Sequence, residues 1–158
     1  METTTINTEE LLSQQYDVLG HYLVDGFTEI RDIKNGRLWF VTNKEDFINR
    51  AKELLGSDIY VGVNSRRTEG GSSNDVGHIT CLVCDIDPVR EKGTGSTEEQ
   101  LKASVELGTR ISRDLRGGIV VSSGSGCDIW LPVNPIAVEN LSELTKSLKE
   151  WSDAIKNK

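Results

Sequence analysis

Asp85 and Asp87 stand two residues apart in the apolar run HITCLVCDID, residues 78–87, and Pro88 follows them. That run reads as a strand. A strand's two-residue period puts both carboxylates on one face, about 6.5–7 Å apart at Cα. Cys84 and Ile86 then point the other way, into the core. Two carboxylates at a strand end suit a pair of Mg²⁺ or Mn²⁺ ions, which would clamp the attacking and leaving oxygens of a phosphoryl transfer. An acidic strand end facing water has the same spacing, and a short motif alone does not separate the two.

A second candidate is the segment Ser122-Ser-Gly-Ser-Gly-Cys-Asp-Ile-Trp-Leu-Pro132. Glycines between two strands permit close backbone approach, and the amides of Ser123, Gly124, Ser125 and Gly126 are candidate phosphate donors. An ordinary hairpin turn needs the same glycines. On the strand that follows, Asp128, Trp130 and Pro132 share one face, and Ile129, Leu131 and Val133 take the core face. Trp130 suits either base stacking or sheet packing. Arg66 and Arg67 lie in the polar loop Asn64–Gly77 and are candidate phosphate partners, because a guanidinium pairs bidentately with phosphate. A solvated arginine pair is the plain alternative. His78, at the start of the acidic strand, is read as structural.

The elements that must position these residues follow from periodicity and punctuation. Asn7–Leu19 reads as a helix with Asn7 and Glu10 at capping-box spacing. Phe27–Ile33 and Arg37–Val41 read as a hairpin around Asn35-Gly36. Thr42 and Glu45 are expected to open a helix burying Phe47, Ile48, Ala51, Leu54 and Leu55, which Gly56 stops. Ile59–Val63 is a strand, His78–Asp87 the most apolar and central one, and Arg90–Gly95 a loop. Ser96 and Glu99 are expected to cap a helix carrying Leu101, Val105, Ile111 and Leu115, ended by Gly117-Gly118. Ile119–Ser122 and Cys127–Val133 are strands. Leu141, Leu144, Leu148, Trp151 and Ile155 form one stripe on a last helix. The expected fold class is α+β, with helices against a mainly antiparallel or mixed sheet.

The chain has 158 residues, 36% hydrophobic and 27% charged, a globular balance that suits one domain. No apolar run reaches membrane-spanning length, and the N-terminus METTTINTEE has no signal-peptide pattern, so the expected location is the cytoplasm with no membrane partner. The net charge of −7 argues against a nucleic-acid binder that uses its whole surface. Any nucleic-acid chemistry would then need metal ions or a basic partner to offset the carboxylates. Cys81, Cys84 and Cys127 are an odd count, read as free thiols. Cys81 and Cys84 form CxxC, but three residues apart on a strand they point to opposite faces, which disfavours a shared metal.

Three segments in order carry a resemblance. Gly62-Val-Asn-Ser-Arg66, then Leu82-Val-Cys-Asp85-Ile-Asp87-Pro88, then a capped helix and Ser123-Gly-Ser-Gly-Cys-Asp-Ile-Trp-Leu131, together resemble the archaeo-eukaryotic primase superfamily. The style is that of the primase-polymerases of plasmids, viruses and mobile elements, over about residues 37–156. The resemblance implies an RRM-like sheet with packed helices in residues 37–158, preceded by a helix and hairpin part in 1–36. It implies template-directed nucleotidyl transfer in DNA replication with two Mg²⁺ or Mn²⁺ ions, a nucleoside triphosphate and a DNA template. Asp85 and Asp87 take the place of the family's acidic pair. Ser123, Gly124 and Gly126 match the turn of its second motif, but Asp128 stands where the family has a histidine. Its third acidic residue belongs on a later strand, which the sequence to Lys158 does not supply. A second chain is the expected source, and activity by this chain alone is in doubt. Asp128 is a candidate third metal ligand with Asp85 and Asp87. A degenerate module that binds nucleotide, nucleic acid or a replication partner without catalysis is the alternative, and an acidic protein-interaction domain is a third reading.

Overall fold

The structure, a computed structural model, describes residues 7–91 and 93–156. Helix α1 (Thr8–Leu19) starts where Asn7 Oδ1 accepts the Glu9 amide at 3.1 Å, and ends at Gly20, whose φ of 67° is left-handed. Leu12, Tyr16 and Leu19 form its buried stripe. Strands β1 (Thr28–Asp32) and β2 (Arg37–Val41) pair antiparallel along their full length, and β3 (Ile59–Val61) pairs on the other side of β1. The expected hairpin is there, with Asp32 accepting from the Asn35 amide and its side chain inside the connection. Helix α2 (Lys44–Glu53) is capped by Asn43, not by the expected Thr42. Asn43 Oδ1 accepts the Asp46 amide at 2.9 Å while its Nδ2 donates to the Asp46 carboxylate, a two-way fit that a threonine hydroxyl at 42 does not reach. Phe47 and Ala51 are buried with Leu12, Tyr16, Ile30 and Val41, and this is the first core. Leu55, expected inside, lies beyond the helix end and is exposed.

The second sheet holds the candidate site. Its strands are β4 (Ser65–Arg66), β5 (Val76–Ile86), β6 (Ile119–Ser122) and β7 (Cys127–Ala137), in the order β4-β5-β7-β6. Every pairing is antiparallel, and the fold is α+β with one sheet curled into a half-barrel. Phe27 and Arg66 exchange backbone hydrogen bonds and stitch the two sheets together. The 64–77 segment, expected as a polar loop and a candidate for binding, is folded on itself. It contributes β4, and Ser72 and Asp75 cap one another around a 3-10 turn at Ser73–Asp75. β7 runs past the expected Val133 because β5 shifts register between Ile79 and Cys81, where Pro132 sits opposite Cys81. A bulge is where a sheet tolerates a residue without an N–H.

Helix α3 (Glu98–Asp114) lies against the back of this sheet. Its cap is Thr97, paired reciprocally with Gln100, one residue later than the expected Ser96 and Glu99. The Ser96 hydroxyl instead bonds the Ser125 carbonyl. Gly108 lets the helix sit close, since a Cβ there would stand 2.8 Å from Cys127 Sγ. Helix α4 (Leu141–Lys156) follows β7. Of its expected stripe, Leu148 is half-buried, and the side chains of Leu141, Leu144, Trp151 and Ile155 lie outside the described residues. No helix among the described residues is long and apolar enough to cross a membrane.

Candidate functional site

β5 and β7 pair so that Asp85 stands directly opposite Asp128, with Val83 opposite Trp130 and Ile86 opposite Cys127. β6 adds Val121 beside Asp128. Alternation then sorts the sheet into two faces. Cys81, Val83, Asp85, Asp128, Trp130 and Val121 share the front. Ile86, Cys127 and Val120 meet Gly108 of α3 on the back. Asp85 and Asp128 thus stand side by side on one face, and Asp87 follows one residue past the end of β5.

The front face is dry at one end and wet at the other. Trp130 and Cys81 pack with Leu19 of α1 into a second core that Val61, Val63 and Val121 flank. Trp130 is only 6% exposed, so it packs the sheet and presents no ring for a base to stack on. Burial pushes the Cys81 thiol up to about 11. Beyond this core the face opens into a cleft of about 850 Å³, walled by Asp128, Val83, β3 with Tyr60, and the turn residues Ser123 and Gly124. That is within the usual size of small-molecule sites, about 300–1,000 Å³. Asp85 and Asp87 line a neighbouring hollow of about 680 Å³, which runs along the outer edge of β5 to Ile111 and Leu148. Val63 and Val83 line both hollows, Asp85 only this one and Asp128 only the larger.

Burial first, and the facing Asp85 carboxylate second, hold the Asp128 carboxyl above its ordinary range, and Asp87 adds to this. The Trp130 indole N–H works against them. It is buried with no partner within hydrogen-bond range, yet lies close enough to the Asp128 carboxylate to favour its charged form. Asp85 and Asp128 thus set two carboxylates against each other across the strand pair, a like-charge contact that an intervening cation would relieve. Among the described residues no three His, Cys, Asp or Glu side chains are gathered closely enough to hold an ion as they stand. The donor set nevertheless fits Mg²⁺ or Mn²⁺, which commonly take one or two protein carboxylates and complete their shell with water and substrate phosphate oxygens.

The glycine turn is self-contained. The Ser123 amide donates to the Gly126 carbonyl at 3.2 Å, the Gly126 amide to Ser123 Oγ at 3.1 Å, and the Gly124 amide to Ser122 Oγ at 3.4 Å. Gly124 has φ 83°, and a Cβ on Gly126 would stand 2.3 Å from the Ile86 carbonyl and 2.7 Å from Asp87 Oδ1. Gly126 is thus what lets the turn close onto the acidic strand end. Ser125 contributes its carbonyl, which accepts from Ser96 and Arg90.

Neither Arg66 nor Arg67 reaches this site. The Arg66 guanidinium is paired at 2.5 Å with Glu29, whose side chain is 4% exposed, and it also donates to the Ser72 carbonyl. Arg31 shares that glutamate. Arg67 is exposed and donates to the Val76 carbonyl at 3.0 Å. His78 lies opposite Ser65, with its Nδ1 buried and unpartnered. The basic residue that does stand at the acids is Arg90, which sequence reasoning passed over. Its only signal is a position three residues after Asp87, in a loop without periodicity.

β5 also presents an uncovered edge. β4 pairs with it only at Val76 and His78, and the Asn64 side chain takes the Thr80 and Cys81 amides. From Leu82 to Ile86 no strand among the described residues lies on that side. Comparison of the chain with protein-family models, curated proteins and solved structures finds no match.

Proposed function

We propose that this chain is the metal- and nucleotide-binding part of a primase-polymerase-type catalytic core, serving template-directed nucleotidyl transfer in DNA replication. The observation that carries the reading is the placement of Asp85 directly across from Asp128, with Asp87 one step along, where Asp85 and Asp87 line a hollow of about 680 Å³ and Asp128 a cleft of about 850 Å³. The order of strand, helix, strand, glycine turn and strand around these acids is the order that the resemblance implies, and an RRM-like description of the second sheet belongs to the same proposal. Asp85, Asp87 and Asp128 are the residues that would hold Mg²⁺ or Mn²⁺. When bound, such ions offset the triphosphate's charge and favour in-line attack by a primer hydroxyl. The chain's own part is to hold the three carboxylates on one rigid face, to shape the cleft with the closed glycine turn, and to keep water from the Trp130 side. A third strand-borne carboxylate of the implied chemistry is not among the described residues. The bare edge of β5 beside Asp85 is where an added strand, from a second chain, would bring one.

One observation favours a second reading. A carboxylate at Asp128, in place of an imidazole, repels a triphosphate by about 1–4 kcal/mol at 4 Å unless a cation intervenes. A module that binds nucleotide or a replication partner without catalysis would tolerate that. Mn²⁺ titration separates the readings at the ligand level. Asp85→Asn and Asp128→Asn are each expected to weaken Mn²⁺ binding about tenfold or more, since each removes a charged ligand. Equal affinity in wild type and Asp128→Asn would remove Asp128 from the site.

A further inference from the structure

We propose that Arg90 is a triphosphate-binding residue, a fixed guanidinium beside Asp87 whose free edge receives phosphate oxygens. The inference rests on the nucleotide-binding reading above and deepens it. Arg90 Nε donates to the Thr94 carbonyl at 3.1 Å, and Nη1 donates to Ser96 Oγ and the Ser125 carbonyl, each at 3.2 Å. Nη1 also lies 3.5 Å from Asp87 Oδ1. These contacts hold the fork from both sides, from the 88–96 loop and from the glycine turn, so little side-chain entropy remains to be lost on binding. Nη2 makes no hydrogen bond with the described residues and is not fully shielded from solvent, so it is open to a further acceptor. The side chain is 22% exposed beside an Asp87 that is 51% exposed, and both line a groove of about 670 Å³ that Glu91 and Thr94 also border.

The sequence's other candidate guanidiniums are committed elsewhere, Arg66 to Glu29 and Arg67 to the Val76 carbonyl. Among the described residues Arg90 is therefore the cation placed to meet a triphosphate that bridges from the acids to the glycine turn. Its charge has opposite consequences for the two ligands. It repels a divalent cation at the Asp85 and Asp87 carboxylates and attracts the phosphates that such a cation accompanies. A residue that merely braced the loop would not split the two affinities.

The test measures Mn²⁺ alone, by the free-ion magnetic resonance signal, and α,β-imido-dATP with Mn²⁺, by calorimetry, on wild type, Arg90→Gln and Arg90→Lys. Arg90→Gln should bind Mn²⁺ alone about threefold more tightly, by loss of a screened like charge. It should bind the nucleotide analogue about tenfold or more weakly, by loss of a charged donor. Arg90→Lys keeps the charge, and should leave Mn²⁺ affinity unchanged while still weakening the analogue. It decides the matter should the glutamine variant fail to fold. Unchanged analogue affinity in either folded variant, or a parallel loss of both affinities, would overturn the role of Arg90 and leave the nucleotide reading standing. Wild type that binds neither ligand would overturn that reading and this inference with it.

Discussion

At the scale of single residues, the candidate site holds a charge conflict that folding alone would not select. Like charges directly opposite each other on neighbouring strands destabilise a sheet by about 0.2–1 kcal/mol, and Asp85 faces Asp128 in that register. Burial of Asp128 adds to the conflict, and its carboxyl is held above the usual range as a result. Asp128→Asn should therefore raise the melting temperature, by up to about 4 °C for a chain of this size, while it weakens Mn²⁺ binding. Thermal unfolding without metal, set beside the Mn²⁺ titration, checks both signs. A lower melting temperature would mean that Asp128 is a structural hydrogen-bond acceptor, not a strained ligand. The acidic pair was legible in the sequence because period two is enough to place Asp85 and Asp87 on one face. That Asp128 faces Asp85 depends on the β5–β7 register, which no local pattern encodes.

At the scale of elements, the site depends on how α3 seats against the back of the sheet. Gly108 faces Cys127, and Cys127 Sγ in turn donates to the Ser104 carbonyl at 3.1 Å. Alanine at 108 would gain about 1 kcal/mol of helix propensity. Its Cβ would also stand 2.8 Å from a buried sulfur and 3.4 Å from Val120 Cγ1, and overpacking costs about 1–3 kcal/mol. The clash is the larger effect, so Gly108→Ala should lower stability by about 1–2 kcal/mol, and Gly108→Ala/Cys127→Ala should recover most of it. Urea unfolding of the three proteins measures this. A stabilised Gly108→Ala would show that the helix has slack at this contact. The order of the longer helices and strands was readable, since apolar spacing and glycine stops are local signals, while the two-residue β4 inside the 64–77 segment was not. The caps slipped by one residue at Asn43 and Thr97 because neighbouring Thr42 and Ser96 carry equally good capping side chains. Tertiary contacts decide between them, and the contact of Ser96 with the glycine turn is one such case.

At the scale of the whole molecule, the two sheets meet around a buried polar junction. His21 is 4% exposed, its Nδ1 is 2.7 Å from Thr28 Oγ1, and burial holds its imidazole down to about 4 from an ordinary value of 6.5. The sign follows from proton counting. Between pH 6.5 and 4 the unfolded chain binds a proton at His21 and the folded chain does not, so stability is complete above 6.5 and falls as pH drops through that window. The loss is about 2 kcal/mol at pH 5, or a melting temperature about 4–8 °C lower than at pH 7. In His21→Gln this part of the decline should disappear. An identical pH profile for both proteins would show that His21 is protonated in the fold. This junction was not visible in the sequence, where His21, the Thr28-Glu29 pair and Arg66 belong to three separate segments. The same burial explains why Arg66, a sound phosphate candidate by residue type, serves the Glu29 ion pair instead.

The central claim, a metal-dependent nucleotide site on the Asp85 face, is tested most directly by calorimetry of α,β-imido-dATP in the presence and absence of Mn²⁺, with wild type beside Asp85→Asn/Asp87→Asn. The account predicts binding that requires Mn²⁺ in wild type and is lost in the double variant while its melting temperature is retained. Nucleotide binding that is indifferent to Mn²⁺ and to both substitutions, or no binding in wild type, would contradict it.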